Sequence, residues 1–335
     1  LNRDIDVLVL GYYGFGNLGD ELLCTAVAAL LVNSGVQKEH IAILSSSPKV
    51  TESITGIQSY DRWNFSTITS LMRRSKSLLL GGGGLFQDST SVRSCAYYWW
   101  AVRMARICGT KVWAVGQSIG PLHTFLARFF AKDAFRNCTY SSIRDGHSAD
   151  IMEQWHLPFA RTPDLAMGSN IKCDFVRKNT LLINIRPGYP TLAKEVACIS
   201  DRLADKEKLK ILGIAFAAED ATEMENIQKL CSIKFEKIVI VRTIEDFKKV
   251  ILHGEKGIGM RLHFIELLLL SGLPVCGAAY DPKVSSFCND WRIPLVGQSS
   301  QVVFSKLDLE MLNSIAENIS QEFQKGLRKV LTDEN

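Results

Sequence analysis

The densest concentration of chemistry-bearing residues is Gly257-Ile-Gly-Met-Arg-Leu-His-Phe-Ile-Glu266, which runs on through Leu267-Leu-Leu-Leu-Ser-Gly-Leu-Pro-Val275. The pattern reads as a loop, a short helix and then a strand. Two glycines permit a tight turn, and Arg261 and His263 then fall near the helix start. The first turn of a helix presents unpaired N–H groups and a partial positive charge, so anions collect there. Arginine adds a planar fork matched to carboxylate or phosphate, and histidine moves protons near neutral pH. Beyond the strand, the polar loop Gly277-Ala-Ala-Tyr-Asp-Pro-Lys283 carries Lys283 toward the same end. The competing reading is a buried helix whose arginine and histidine only cap or solvate its end. Three such side chains around one turn and one loop favour an anion-handling site.

A site of this kind needs a rigid frame, and alternating strand and helix patterns supply it. Ile5-Asp-Val-Leu-Val-Leu10 is a short apolar run of the kind that forms a buried parallel strand. It feeds Gly11-Tyr-Tyr-Gly-Phe-Gly-Asn-Leu-Gly-Asp-Glu21, and helical spacing follows from Leu22 to Val32. Gly14 to Gly19 satisfies G-x-G-x-x-G, a weak signal alone. The next strand, Ile41–Leu44, leads into Ser45-Ser-Ser-Pro48 with no acidic residue for a ribose diol, which disfavours a dinucleotide-dependent oxidoreductase. No Lys-Ser/Thr follows the glycines, so a P-loop is excluded. Asn17, Asp20 and Glu21 either hydrogen-bond hydroxyls of a ligand or cap the helix.

The same unit recurs down the chain. Ser77–Leu80 runs into Gly81-Gly-Gly-Gly84-Leu-Phe-Gln-Asp88, where four glycines at a strand end suggest backbone approach to a ligand rather than a linker. Helices are expected at 97–107, at 126–135 and at 149–155 with Ser148 as cap. Strands are expected at 111–115, followed by the loop Gly116-Gln-Ser-Ile-Gly-Pro121, and at 140–143. Arg144 at that last strand end either pairs with Asp145 or contacts an anion. After a polar linker at 168–179 the pattern restarts with strands at 180–185, 209–216 and 237–241, and Arg186 again stands at a strand's carboxyl end. The expected fold class is α/β, with two Rossmann-like domains facing a cleft (GT-B-like) and a C-terminal helix. The expected boundaries are 1–168, 169–306 and, for a helix packing back on the first domain, 307–335.

Composition limits the partners. The chain has 335 residues, 47% of them hydrophobic, and a formal charge of +4, without the basic runs of a nucleic-acid binder. Nine cysteines without a C-x-x-C pair suggest reduced thiols and a cytoplasmic home. No secretory signal opens the chain and no apolar run reaches membrane-spanning length. No tight ligand cluster announces a metal.

Five segments, in order, resemble the polysaccharide pyruvyl transferases, nearest to the CsaB-type branch. They are Gly11–Glu21, Gly81–Asp88, Gly116–Pro121, Ser142-Ile-Arg-Asp145 and Gly259-Met-Arg-Leu-His263. The likeness runs from about residue 5 to about residue 300. It implies a GT-B-like fold and phosphoenolpyruvate as the donor substrate, with no further cofactor. It also implies a saccharide acceptor, lipid-linked, reached at the inner face of the membrane. Arg186, Arg261, Leu262 and Lys283 correspond to donor binding, and His263, Lys283 and Arg144 to catalysis. Gly16, Asn17, Asp20, Gly82, Gly83, Gly84 and Gln117 fall on the acceptor side. Phe216-Ala-Ala-Glu219-Asp220 departs from the family's usual proline before the phenylalanine, which leaves Glu219 and Asp220 without a role. Two other readings remain: a GT-B glycosyltransferase holding a nucleotide's ribose with Glu266, and a non-catalytic saccharide-binding protein. Oligomeric state is not encoded in any of these features.

Overall fold

Apolar runs covered on both faces by helices become parallel strands, because each βαβ crossover brings the chain back to the same end of the sheet. The computed structural model describes residues 3–89, 91–169, 171, 173, 175, 176, 179–298 and 301–332. By contacts the chain forms two units. The first comprises Leu1–Gly16, Asp20–Gly168 and Ser314–Asn335, and the second Asn17–Gly19 and Ser169–Asn313.

In the first unit the order is β1 (Ile5–Leu10), α1 (Leu18–Asn33), β2 (Ile41–Ser45), α2 (Pro48–Thr55), β3 (Ser59–Asp61), α3 (Phe65–Arg74) and β4 (Ser75–Leu80). It continues with β5 (Gly83–Phe86), α4 (Val92–Ile107), β6 (Lys111–Ile119), α5 (Phe125–Arg136), β7 (Tyr140–Ile143), α6 (Gly146–Gln154) and β8 (Ala160–Arg161). The strands lie in the order β3-β2-β1-β4-β6-β7-β8, with β5 beside β6. Val7 pairs with Ile41 on one side and Ser77 on the other, all parallel. The strand order therefore reverses between β1 and β4, and the loops leaving those two carboxyl ends form the crevice where ligands of such sheets bind. Those loops are the two glycine-rich segments.

The second unit holds β9 (Thr180–Asn184), α7 (Pro190–Glu207), β10 (Lys210–Ala215), α8 (Ala218–Leu230), β11 (Lys237–Ile240), α9 (Ile244–Val250), β12 (Gly254–Gly259), α10 (Leu262–Leu270), β13 (Val275–Gly277) and α11 (Pro282–Asp290). Its parallel sheet runs β11-β10-β9-β12-β13, so the reversal lies between β9 and β12. Arg186 follows β9 and Arg261 follows β12, which places both at this unit's own switch point.

The last helix, α12 (Leu309–Leu331), has its residues from Ser314 onward within the first unit. There Phe323 meets Trp113 edge-on at 5.1 Å, and the Tyr140 hydroxyl donates to Glu322 at 2.8 Å.

Several local readings are corrected. Asp145, not Ser148, caps α6, accepting the Ser148 N–H at 2.8 Å. The Ser148 hydroxyl instead accepts the Ile119 N–H at 2.7 Å, tying helix to strand. α4 begins at Val92 because Ser91 caps it. α2, β3 and α3 fill a stretch for which no element was expected. The linker expected at 168–179 falls in part outside the described residues. Among the described residues no disulfide forms, and no helix is long and apolar enough to cross a membrane.

Candidate active site

Four cation-forming side chains of the second unit stand after three neighbouring strands, β9, β12 and β13. The Arg186 guanidinium lies over the Tyr280 ring at 4.4 Å and donates to the Tyr280 hydroxyl at 2.7 Å. A hydroxyl is a neutral partner, so the arginine keeps its charge available to an anion. Its buried Nε has no hydrogen-bond partner among the described residues, and an orphaned donor of that kind carries a desolvation cost that a bound oxyanion would relieve.

Arg261 is the N-cap residue of α10, and its own N–H donates to the Asn184 side chain at 2.9 Å. Its Nε and one terminal nitrogen each reach Asp220 at 2.6 Å. Asp220 is fully buried and also accepts the Phe216 N–H at 3.1 Å. Burial by itself lowers the Arg261 pKa, but the hydrogen bonds and charge of Asp220 outweigh it and leave the pKa raised. One edge of the guanidinium is thus committed to Asp220, and the remaining N–H groups are those left for a ligand. This supplies the role that sequence reasoning left open for Asp220; the signal was an aspartate in the first turn of a helix leaving a strand. Leu262 is buried, so its backbone rather than its side chain would meet a donor. Lys283 stands in the first turn of α11, where Asp281 caps the helix through the Lys283 N–H at 2.9 Å and lies 3.6 Å from the ammonium.

His263 is 18% exposed in its side chain, with Nε2 3.9 Å from the buried Glu266 carboxylate one turn along the helix. A protonated imidazole there has a carboxylate within ion-pairing distance. On its other side the ring abuts Gly19, and a Cβ on Gly19 would overlap the imidazole. The last glycine of the G-x-G-x-x-G segment is therefore a requirement of the histidine's position. Glu266 is sealed from solvent, which removes it as the residue expected to hold a ribose.

The glycine-rich loops of the first unit are filled mainly by the chain itself. The Glu21 carboxylate accepts the N–H groups of Gly14 at 2.8 Å and Gly16 at 3.3 Å. That is a loop nest occupied by an internal anion. Burial raises the Glu21 pKa above its ordinary value, opposed by those backbone bonds. Asn17 accepts the Gly19 N–H at 3.2 Å, so it closes the first turn of α1. A Cβ at Gly81 would strike the buried Tyr13 hydroxyl, and one at Gly82 would press Leu23 and Leu165 at 3.1 and 3.2 Å. The expectation that this run as a whole contacts an acceptor is corrected: Gly81 and Gly82 are buried to admit side chains, and Gly83 opens β5 with φ +111°. Gly84 and Gly16 are exposed, and Asn17 and Asp20 half-exposed. Gln117 is corrected likewise. It is fully buried and donates to the Leu80 and Gly81 carbonyls, so it shapes the loop from within.

Arg144 pairs with Asp164 rather than Asp145, and both side chains are almost wholly buried. A further buried arginine is one that the sequence does not single out. Arg62 is 2% exposed, donates to the Gly11 carbonyl and the Tyr98 hydroxyl, and lies 4.7 Å from the centre of the Tyr97 ring. Nothing in its local sequence distinguishes it from a turn residue.

The family model for polysaccharide pyruvyl transferase matches residues 17–282. Among curated proteins none matches the sequence. Solved structures with a similar fold include HepE of Anabaena in complex with UDP, at 10% identity and TM-score 0.54, covering 98% of this chain and 96% of that one. UDP-GlcNAc 2-epimerase of Neisseria meningitidis bound to UDP-GlcNAc shares 10% identity at TM-score 0.57, covering 96% and 94%. The putative UDP-N-acetylglucosamine 2-epimerase of Listeria monocytogenes shares 10% at TM-score 0.59, covering 96% and 91%. At such identities the likeness is one of fold, and the fold is the α/β, GT-B-like type with two Rossmann-like units.

Proposed function

Since the chain belongs to the polysaccharide pyruvyl transferase family, we propose that it moves the pyruvyl group of phosphoenolpyruvate onto two hydroxyls of one saccharide, forming a ketal and releasing phosphate. The observation that carries this reading is the gathering of Arg186, Arg261, His263 and Lys283 beyond neighbouring strand ends of one unit. Phosphoenolpyruvate has a carboxylate and a phosphate a few bonds apart, and arginine forks suit both.

His263 delivers a proton to the methylene carbon, leaving a cationic centre at C2. One sugar hydroxyl bonds to that carbon and loses its proton. The C2–O bond to phosphate breaks, and the second hydroxyl closes the ring, losing its own proton. One hydroxyl proton makes good the proton given up by His263 and the other leaves with phosphate, so the exchange balances. Arg186 and the free edge of Arg261 hold the anionic ends, and Lys283 neutralises the departing phosphate. Arg144, locked to Asp164, acts by positioning the end of its strand. The acceptor, a saccharide on a lipid carrier, is met by the accessible Gly16, Asn17, Asp20 and Gly84.

A second reading, glycosyl transfer from a nucleotide sugar, draws on the UDP in the HepE complex and the UDP-GlcNAc in the Neisseria enzyme. The buried Glu266 speaks against it. Incubation with phosphoenolpyruvate and a panel of lipid-linked disaccharides should release inorganic phosphate. His263→Ala should lower that turnover by about two to four orders of magnitude. Wild-type turnover in the variant would remove the histidine from the scheme.

A further inference from the structure

A helix that covers a sheet normally turns its apolar residues inward. α5 does this with Ala127, Ala131, Ala134 and Phe135. Its opposite face is not polar, however: Phe125 is 81%, Leu126 55% and Phe129 48% exposed. Residues four apart share a helix face, so Phe125 and Phe129 present adjacent rings to solvent with Leu126 at their side. Trp99 of α4 extends the patch, its ring 6.4 Å from Phe129 and its indole N–H donating to Asp133 at 2.7 Å. Contiguous apolar surface of this kind marks an interaction site rather than a solvated face.

Charge identifies the partner. Lys132 and Arg136 continue the same face one and two turns on, Arg128 flanks it, and all three are exposed. The only acidic residue of α5, Asp133, is already engaged by Trp99 and lies 3.7 Å from Arg103. The face is apolar at one end, cationic along its length and bordered by a half-buried tryptophan. That is the pattern of a helix lying in the plane of an anionic lipid surface.

We propose that the α4–α5 face docks on an anionic bilayer, with Phe125, Leu126 and Phe129 entering the acyl boundary and Arg128, Lys132 and Arg136 meeting lipid phosphates. Docking itself stands on the exposed face alone. Its purpose, bringing the enzyme to a lipid-carried saccharide, rests on the function proposed above.

Co-sedimentation with vesicles of phosphatidylcholine alone, and of phosphatidylcholine mixed with phosphatidylglycerol, tests this. The protein should bind the anionic vesicles and do so less in added salt. Phe125→Ser/Phe129→Ser and, separately, Lys132→Glu/Arg136→Glu should each weaken binding by about tenfold or more. Both variants should remain folded and melt cooperatively, because Phe125 is 81% and Phe129 48% exposed and Lys132 and Arg136 are exposed. Protein left in the supernatant with both vesicle types at low salt, or variants that bind as the wild type does, would overturn the proposal. So would a concentration-dependent dimer that the serine variant abolishes while no vesicle binds, since the face would then belong to a second copy. Calorimetric titration with phosphoenolpyruvate should be unaffected in every variant. A wild-type protein that binds vesicles but not phosphoenolpyruvate would refute the donor assignment and leave the docking surface standing.

Discussion

Asp220→Asn isolates what holds Arg261 in place. The aspartate makes two bonds of 2.6 Å to the guanidinium and accepts the Phe216 N–H at 3.1 Å, all from a fully buried position. Asparagine preserves the shape but removes the charge and turns one acceptor into a donor aimed at an arginine. Breaking a fully buried pair by removing one partner costs about 3–5 kcal/mol. The Arg261 side chain is 18% exposed, so water softens the loss and about 2–4 kcal/mol is the expected destabilisation. Denaturant unfolding of wild type, Asp220→Asn, Arg261→Met and the double variant measures it as a cycle. The coupling should be at least about 1.5 kcal/mol, because the residues share one bidentate contact. Phosphoenolpyruvate affinity in Asp220→Asn should fall about tenfold as the guanidinium loses its orientation. An Asp220→Asn protein within about 0.5 kcal/mol of wild type, with unchanged affinity, would refute the reasoning.

Two further perturbations probe the first turn of α1, which carries Gly19 and Glu21. Gly19→Ala places a methyl in the space of the His263 ring, so turnover should drop by about 10²-fold, and melting should fall as well because an extra methyl in a filled, buried position costs about 1–3 kcal/mol; unchanged turnover would separate Gly19 from the histidine. Glu21→Gln tests the internal anion. Its folded pKa is raised, mainly by burial, so its favourable contribution is complete below the unfolded value and is lost as pH rises through the folded one. The stability of the variant relative to wild type should therefore increase from about pH 4 to about pH 7, and a difference flat across that range would contradict it.

The frame was legible because parallel strands are local apolar runs. Ile5–Leu10 and Tyr140–Ile143 begin and end where the sequence suggests. The cations of the second unit were legible too, each standing just beyond a strand. Their partners were not. Asp220 reaches Arg261 across 41 positions, and Tyr280 reaches Arg186 across 94. No periodicity encodes such pairings, which follow from the order of strands in the sheet. Glycine was ambiguous for a related reason. A missing Cβ admits a ligand or a neighbour's side chain equally well, and at Gly81 the occupant is Tyr13. The exposed face of α5 is not legible in the sequence because Phe125-Leu-Ala-Arg-Phe-Phe130 has the composition of a core helix, and only packing reveals which rings face outward.

The central claim is that the second unit binds phosphoenolpyruvate through arginine forks, and calorimetric titration of wild type and Arg186→Lys with phosphoenolpyruvate and with UDP tests it most directly. The wild type should bind phosphoenolpyruvate and not UDP. Arg186→Lys keeps the charge but loses both the planar fork and the stacking on Tyr280, so donor binding should weaken by about 1–3 kcal/mol. Binding of UDP without phosphoenolpyruvate, or an Arg186→Lys variant with undiminished donor affinity, would contradict the account.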